Sequence, residues 1–360
     1  MKQIVYNASI LLLGHKMFKL PATLLSKDVL KPLETIDTFP EEHEYEIGFS
    51  KHYNEYLKDR VVEFEERRIL AIKKARKRCI AWMAYLVLTP FLVILLFSLQ
   101  GELGMAGLFS LVFVGNIAAY FWVYWPINDY AVNVKEEIFP NVVSFFGDFK
   151  YNVETSKSAF EYHATEIIPK HDIEYAEDHI TGTYKDVGID LFETELYKSK
   201  KKSSDGDSGP RRPLFSGFIL ALSMNKSFSG KTIVKKDTGA IGNFWANFDT
   251  SLERVNLEDP KFEKAFEVFS NDQIEARYLL TVAFMERLLD LDEIFGGSSV
   301  RCCFMNEKLV ILLESSKDWF EPGSIFEAED FVDDCKSLLK ELSQIFNLID
   351  TLRLNVKTNL

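Results

Sequence analysis

The chain has 360 residues and a formal net charge of -12 at pH 7. Phosphate backbones are bound by basic surfaces, so this charge argues against a nucleic acid as a partner. The four cysteines, Cys79, Cys302, Cys303 and Cys335, are too few and too irregularly spaced for a disulfide framework or a zinc site. We therefore expect a reducing compartment, no metal site and no cofactor.

The first segment, residues 1–40, contains a short apolar run at Ile10–Leu13. The run is too short for a membrane span and no small-residue cleavage site follows it, so we do not interpret it as a signal peptide. The segment is predicted to be either amphipathic at a membrane interface or irregular.

Residues 41–78 are highly charged and carry a sparse apolar repeat, which predicts one long helix. Acidic residues dominate its first half and basic residues its second half, an order that complements the helix dipole. The basic end would lie where the headgroups of anionic lipids are found. The candidate lipid contacts in this helix are Arg67, Arg68, Lys73, Lys74, Arg76, Lys77 and Arg78.

Two apolar runs follow, Cys79–Leu99 and Met105–Trp125, and no lysine or arginine lies between Cys79 and Asn133. A hydrocarbon core of about 30 Å needs about 20 apolar residues in a helix, so each run is long enough to cross a membrane. Both are apolar on every helical face, which suits lipid better than the alternative of a large soluble core. Because only residues 100–104 join them, the runs are predicted to return antiparallel as a hairpin.

Asn116 is the one strongly polar residue of the second run. It could serve as a relay or ion site, but an interhelical hydrogen bond is the more ordinary role. Gly115 and Ala119 stand four positions apart, where small side chains would let two helices approach closely.

The charges that flank the runs predict the orientation. The basic cluster precedes the first run, whereas the connecting turn carries only Glu102. Because positive charge stays on the cytoplasmic side, both termini are expected in the cytoplasm of a two-pass inner-membrane protein. Aromatic residues agree, since Trp82 and Tyr85 open the first run while Tyr120 and Trp125 are among those that close the second.

The pattern changes after the spans. A short helix is predicted from after Pro126 to Phe146, along the bilayer and ended by Gly147, and strands are predicted from Tyr151. Alternation with period two over Val187–Leu191 and over Leu214–Met224 predicts two antiparallel strands.

The loop between these strands, Lys198–Pro213, is polar and rich in basic residues. It either contacts anionic lipid or is a solvated loop. Its candidate lipid contacts are Lys200, Lys201, Lys202, Arg211 and Arg212.

His163, His171 and His179 recur every eight residues, a spacing that invites a metal interpretation. Pro169 interrupts the run, and no carboxylate or cysteine pattern completes a ligand set. We interpret the histidines as polar positions of strands.

Helices are predicted next. Asp259 and Pro260 are typical of an N-cap and a first helical residue. The helix that they begin would carry Phe262, Phe266 and Phe269 on one side.

A second helix is predicted from the capping-box spacing of Ser270 and Gln273, and it would run through Leu289 and end at Gly296 and Gly297. The head of this helix holds a candidate polar interaction cluster. Its members are Asp272, Glu275, Arg277 and Tyr278.

A hairpin is predicted from Val300–Phe304 and Leu309–Leu313 about Asn306. The last helix has a regular apolar seam that must be buried, either against its own sheet or against another subunit. The wide apolar stripe favours its own sheet. The seam consists of Phe331, Cys335, Leu338, Leu342, Ile345, Ile349 and Leu352.

The run LEDPKFEKAFEVFSNDQIEARYLLTVAFMERLLDL at Leu257–Leu291, followed by EKLVILLES and WFEP, resembles the bacterial family catalogued as domain of unknown function 3137. The likeness extends over Phe49–Leu354. It implies a basic helix, two membrane spans and a cytoplasmic domain with a strand-rich first half. Members are often encoded beside small membrane-associated proteins of the LemA type, which implies such a protein as a partner. No activity is established for the family, so the resemblance implies no catalytic residues.

The predicted fold is α+β, with a long N-terminal helix and a two-helix transmembrane hairpin before a cytoplasmic antiparallel-sheet domain that ends in a C-terminal helix. The predicted segments are 1–40 (irregular or amphipathic), 41–78 (charged helix), 79–99 and 105–125 (transmembrane helices), 126–150 (juxtamembrane helix) and 151–354 (cytoplasmic domain).

Three functions are compatible with this organisation. The first is a membrane-anchored cytoplasmic binding or scaffold module. The second is a protein of the inner leaflet that binds or senses lipid. The third and least expected is a membrane-tethered enzyme that would use the polar cluster. The lipid bilayer is a partner in each case.

Overall fold

The computed structural model of the chain describes residues 20–32, 38–99, 105–199, 213–224, 227–236, 251–294, 300–315, 319–321, 324–326 and 331–357. The chain divides into two compact units. Unit 1 comprises Met1–Ile138 and Pro322–Lys336, and unit 2 comprises Phe139–Glu321 and Ser337–Leu360. The fold is mixed α+β, as predicted, with long N-terminal helices, two apolar helices and an antiparallel sheet with a C-terminal helix.

Unit 1 is helical. Its elements are α1 (residues 20–25), 3-10 turns at Asp28–Leu30 and Glu44–Glu46, α2 (Phe49–His52), a π turn (Tyr53–Leu57), α3 (Lys58–Leu99) and α4 (Met105–Glu137). The predicted charged helix and first span are therefore one continuous helix from Lys58. The two long helices α3 and α4 pack against each other.

The prediction of a separate helix after Pro126 is wrong, because α4 continues through this proline to Glu137. A proline inside a helix lacks the N–H that would bond the carbonyl four residues earlier, here the carbonyl of Trp122. The Arg78 guanidinium donates to that carbonyl at 2.6 Å and also stacks over the Trp122 ring. A side chain of α3 thus supplies the donor that Pro126 lacks.

The contact between α3 and α4 includes the side chains singled out in the second apolar run. Trp82 Nε1 donates to Asn116 Oδ1 at 3.1 Å, which confirms the interhelical hydrogen bond. A Cβ at Gly115 would lie 2.8 Å from the Tyr85 hydroxyl, so the missing side chain makes room for Tyr85.

Part of the first forty residues packs onto this helix pair. Leu20, Leu24 and Val29 join a buried apolar cluster with residues of α3 and α4, among them Ile72 and Val123. Residues 20–30 therefore have a defined place in unit 1. The apolar run at Ile10–Leu13 lies outside the described residues.

Two helical stretches are long and apolar enough to cross a membrane, Glu44–Leu95 and Ser110–Phe146. Their most apolar windows are 18% and 22% buried. By length and composition they are compatible with a two-pass membrane protein. The predicted turn between them, residues 100–104, lies outside the described residues.

Unit 2 is built on an antiparallel sheet that has nine strands in the described part of the chain, in the order β1-β2-β3-β4-β9-β8-β5-β7-β6. The strands are β1 (Phe149–Glu154), β2 (Ile173–Tyr184), β3 (Val187–Tyr197), β4 (Phe215–Ser223), β5 (Thr232–Lys236), β6 (Glu253–Val255), β7 (Phe266–Ser270), β8 (Val300–Met305) and β9 (Lys308–Glu314). The predicted pairing of β3 with β4 is confirmed. The predicted β8–β9 hairpin is also confirmed, and its turn residue Asn306 has a left-handed φ of 58°.

The helices of unit 2 are mostly short. They are α5 (Phe139–Val143), 3-10 turns at Ser144–Phe146 and Ala159–Thr165, α6 (Pro260–Ala265), α7 (Gln273–Leu279), α8 (Val282–Ile294) and α9 (Phe331–Lys357), whose residues from Ser337 belong to this unit. In α9, Phe346 contacts Phe149 of β1 and Tyr184 of β2. Phe346 widens the apolar stripe beside the seam, and through it α9 contacts its own sheet.

The predicted helix from Pro260 through Phe269 is wrong after Ala265. Asp259 is the N-cap, as expected, and accepts from the amides of Lys261 and Phe262. Phe266–Ser270 nevertheless forms β7, which pairs with β5 and β6. The apolar spacing fits a helix face, but pairing with two strands distant in sequence determines the structure.

The second predicted helix is interrupted and its cap is shifted. Asp272, not Ser270, is the N-cap of α7. The chain leaves the helix at Leu280 and resumes as α8, where Thr281 Oγ1 accepts from the amide of Phe284. The predicted end at Gly296 and Gly297 lies outside the described residues.

Candidate functional site: a basic groove on two apolar helices

The basic residues of α3 have different environments. Arg68 is 2% exposed and pairs with Glu65. Its guanidinium also donates to the carbonyls of Val29 at 3.2 Å, Lys31 at 2.7 Å and Ile325 at 2.9 Å. Arg68 thus ties three chain segments of unit 1 together, and its buried guanidinium is not accessible to a lipid headgroup.

Three further arginines of the cluster also have partners within unit 1. Arg76 donates to the carbonyls of Leu24 and Ser26, and Arg78 donates to that of Trp122. Arg67 bonds Glu63 and Glu137, and these two carboxylates raise its pKa.

Lys73, Lys74 and Lys77 are exposed on α3, and among the described residues no hydrogen bond or ion pair holds their ammonium groups. They line a groove on α3 and α4 with a volume of about 670 Å³. Its other lining residues are Arg67, Leu70, Ala71, Arg76, Ile80, Trp125, Pro126 and Asp129.

The groove is amphipathic. Leu70, Ile80 and Trp125 are large apolar side chains that are at least half exposed. The three lysines supply positive charge, against one carboxylate on the lining, that of Asp129. Such a surface can take a ligand that has an anionic end and an apolar body.

The sequence identified the lysines of this groove but not its apolar lining. Leu70, Lys73, Lys77 and Ile80 follow one another at helical spacing, so a helical wheel of α3 could have grouped them. For Trp125 the sequence predicts only a place in the aromatic belt. Its place beside the lysines depends on how α3 and α4 pack.

The second basic segment of the sequence analysis, Lys200–Lys202 with Arg211 and Arg212, lies outside the described residues. The predicted lipid contacts of that loop stay predictions.

The polar cluster of unit 2 is assembled by the start of α7. Asp272 accepts from the amides of Ile274 and Glu275, and these hydrogen bonds hold the pKa of its carboxyl below the ordinary value. The Glu275 carboxylate accepts from the amides of Ser229 at 3.0 Å and Gly230 at 2.7 Å. It therefore closes the turn that precedes β5.

The other two members of the cluster lie on α7 itself. Arg277 donates to the Gln273 carbonyl of its own helix. Tyr278 is 42% exposed. The structure thus brings Asp272 and Glu275 together at a helix start, where both stabilise the fold.

The interpretation of the histidines as strand positions holds for His179 in β2, whereas His163 lies in the 3-10 turn Ala159–Thr165 and its ring contacts that of His171, with centroids 5.1 Å apart. His179 Nε2 lies 2.8 Å from Asp190 Oδ1, and His171 Nδ1 lies 2.9 Å from the Pro169 carbonyl oxygen. Burial and the neighbouring His171 lower the pKa of His163. In the described part of the chain, no group of three or more His, Cys, Asp or Glu side chains could hold a metal ion.

Unit 2 contains a buried tyrosine–aspartate pair that no sequence pattern predicts. The Tyr151 hydroxyl donates to the carboxylate of Asp178, which is fully buried and has a φ of 51° beside the irregular β2–β3 register. Burial and the Asp178 charge raise the pKa of Tyr151. No local pattern marks Asp178, because its burial depends on a strand irregularity.

The fold and the groove define a mixed α+β protein with two apolar helices that are long enough to span a membrane and that carry a basic groove. Residues 213–354 match the family model described as "Protein of unknown function (DUF3137)". The match confirms the resemblance predicted from the helical block. It spans β4 to α9 and is narrower than the expected likeness over Phe49–Leu354.

Among solved structures, the chain is similar to "crystal structure of the mycobacterial trehalose monomycolate transport factor A, TtfA" at 9% sequence identity and a TM-score of 0.32. The similarity covers 58% of this chain and 90% of that chain, and it is too low to support an inference. No curated protein matches the chain.

Proposed function

We propose that this chain is a membrane-anchored binding or scaffold module of the bacterial inner membrane. In this proposal α3 and α4 cross the membrane as an antiparallel hairpin, and both termini and unit 2 lie in the cytoplasm. The observation that carries it is the exposure of large apolar side chains along both helices. They include Val87, Leu88, Phe91, Ile94, Leu111, Phe113 and Val114, each more than 60% exposed.

These exposed side chains support a lipid environment on energetic grounds. Burying a large aliphatic or aromatic side chain is favourable by about 1.5–3 kcal/mol relative to leaving it in water. A hairpin of such residues in water would forgo this stabilisation at each position. The hydrocarbon of a bilayer provides it without further protein contacts.

The distribution of charge supports the orientation. Lys73, Lys74 and Lys77 precede the apolar part of α3, and positive charge stays on the cytoplasmic side of a span. The aromatic side chains Trp82 and Tyr120 pack near each other in one apolar cluster, at the end of the hairpin where the lysines lie. This arrangement favours a cytoplasmic unit 2.

A binding role suits unit 2 better than catalysis. Asp272 and Glu275, the acidic residues of the proposed enzyme site, cap α7 and close a turn. The same helical block presents exposed apolar side chains, Ile274 at 83% and Val282 at 61%. Following the resemblance, we propose a LemA-type membrane protein as the partner.

The partner proposal predicts that unit 2 retains a co-expressed LemA-type protein through this block. We expect near-stoichiometric recovery with the full-length chain in mild detergent and at least about tenfold less recovery with the variant I274S/V282S. F160S, which alters another exposed apolar side chain of unit 2, is the matched control and should retain the partner. Repeated recovery of the wild-type chain without the LemA-type protein would contradict the proposal.

Lipid binding is the second candidate function. It is favoured by the groove that joins exposed lysines to exposed apolar side chains on α3 and α4. A membrane-anchored module and a lipid-binding site are compatible in one chain.

A further inference from the structure

We propose that the groove formed by Lys73, Lys74, Lys77, Ile80 and Trp125 is a binding site for one anionic phospholipid. Its phosphate would lie against the lysines, and its glycerol and first methylenes would lie against Ile80 and Trp125. This inference rests on the proposed membrane insertion of α3 and α4.

The ammonium groups of the three lysines are available to a ligand. The neighbouring arginines donate to protein carbonyls or carboxylates, whereas no protein acceptor in the described residues holds Lys73, Lys74 or Lys77. The Asp129 carboxylate reduces the local positive charge by one, and the groove keeps an excess of positive charge. A phosphate diester supplies the acceptors that these donors lack.

The depth of the groove matches the headgroup layer. Lys73 and Ile80 are seven residues apart on α3, which corresponds to about 10 Å along the helix axis. The headgroup layer on each side of a bilayer is about 5–8 Å thick. When Ile80 lies at the edge of the hydrocarbon, Lys77 lies about 4.5 Å from it, within this layer, and Lys73 and Lys74 lie at the outer boundary, from which their long side chains reach the phosphates.

The opposite face of α3 is already covered. Ile72, Ala75 and Cys79 are buried against α4 and residues 20–30, while Lys73 and Lys77 lie on another side of the helical wheel. Arg68 and Arg76 hold the covering segment in place. Lipid can therefore reach the groove without displacing any of the described residues of unit 1.

The apolar half of the groove favours a phospholipid over a free phosphate ion. Leu70, Ile80 and Trp125 expose 65%, 50% and 65% of their surface. An inorganic anion would leave this surface in water. A phospholipid would cover it and continue along the exposed side chains of the apolar helices.

The test is native mass spectrometry of the detergent-solubilised full-length protein titrated with phosphatidylglycerol or phosphatidylcholine. We expect one retained phosphatidylglycerol with an affinity roughly tenfold or more above that of phosphatidylcholine, since each lysine near an anionic surface contributes about 1 kcal/mol. The variant K73Q/K74Q/K77Q should lose this preference. K73R/K74R/K77R, which keeps the charge, should retain it.

The matched control is K150Q/K261Q/K308Q, which removes the same charge from exposed lysines of unit 2 and should bind lipid like the wild type. Excess inorganic phosphate should not displace the lipid, and displacement would contradict the apolar half of the site. Equal binding by wild type and K73Q/K74Q/K77Q would overturn the proposal. If the protein were still recovered from membranes, the anchoring proposal would stand and the lipid-site proposal alone would fail.

Discussion

Replacing Arg68 by methionine is expected to destabilise unit 1 by about 3–5 kcal/mol, the usual result of breaking a buried ion pair from one side. The Arg68 and Glu65 side chains are 3% and 9% exposed. Methionine fills a similar volume but leaves the Glu65 carboxylate without its guanidinium partner. It also removes the donor to the carbonyls of Val29, Lys31 and Ile325.

This loss should appear as a lower thermal midpoint of the full-length protein in detergent and as faster proteolysis around residues 20–31. R67M is the matched control, because the Arg67 side chain is 40% exposed and its surface ion pairs are worth about 1 kcal/mol or less. The double variant E65M/R68M should recover part of the loss. Equal effects of R68M and R67M would show that the buried arginine does not hold the N-terminal segment.

Replacing Gly217 by alanine is expected to destabilise unit 2 by at least about 3 kcal/mol. Gly217 lies in β4 opposite Glu314 and has a φ of 143°, a conformation that is almost confined to glycine. A Cβ there would lie 2.1 Å from the Leu313 carbonyl oxygen and 2.8 Å from the Ser315 amide nitrogen. Both are backbone atoms in or next to the paired strand β9, so β4 and β9 would have to separate locally.

Chemical unfolding of the full-length protein, followed by circular dichroism of the strands, measures this change. G188A is the control in the adjacent strand β3, where a Cβ would meet the Ser223 hydroxyl at 2.9 Å. A side-chain hydroxyl can rotate away, so we expect a cost of about 1.5 kcal/mol or less, mainly from the hydrogen bond to the Gly188 amide. A stable, wild-type-like G217A would contradict the tight β4–β9 contact.

The elements that the sequence predicted correctly are those whose signal is local. Alternation and the turn residue Asn306 mark the β8–β9 hairpin, and the Asp259–Pro260 pair marks the start of α6. Length and composition predict the apolar helices. Each of these patterns depends on the chain within about 20 residues.

Elements determined by distant contacts were misassigned or missed. Phe262, Phe266 and Phe269 have helical spacing, yet the last two lie in β7 because β5 and β6 offer strand partners. At Pro126, where α4 continues, the Trp122 carbonyl accepts from Arg78, which is 44 residues away in sequence. The sequence of one helix does not reveal a hydrogen-bond donor that comes from another helix.

The candidate site also combines features that the local sequence predicts with features that distant contacts determine. The sequence grouped seven basic residues of α3 by charge, but their roles differ by helix face. Arg68 is buried because it lies on the face that residues 20–31 cover, whereas Lys73 and Lys77 remain exposed on the groove. Composition predicts the cluster, and the packing of unit 1 determines which members are free to bind a ligand.

Membrane fractionation combined with a terminal reporter tests the central claim most directly. The account predicts that the full-length protein sediments with membranes, resists alkaline carbonate and is released only by detergent. It also predicts that green fluorescent protein fused after Leu360 fluoresces, while alkaline phosphatase fused at the same position is inactive. A protein that stays in the supernatant after ultracentrifugation without detergent, or an active phosphatase fusion, would contradict the account.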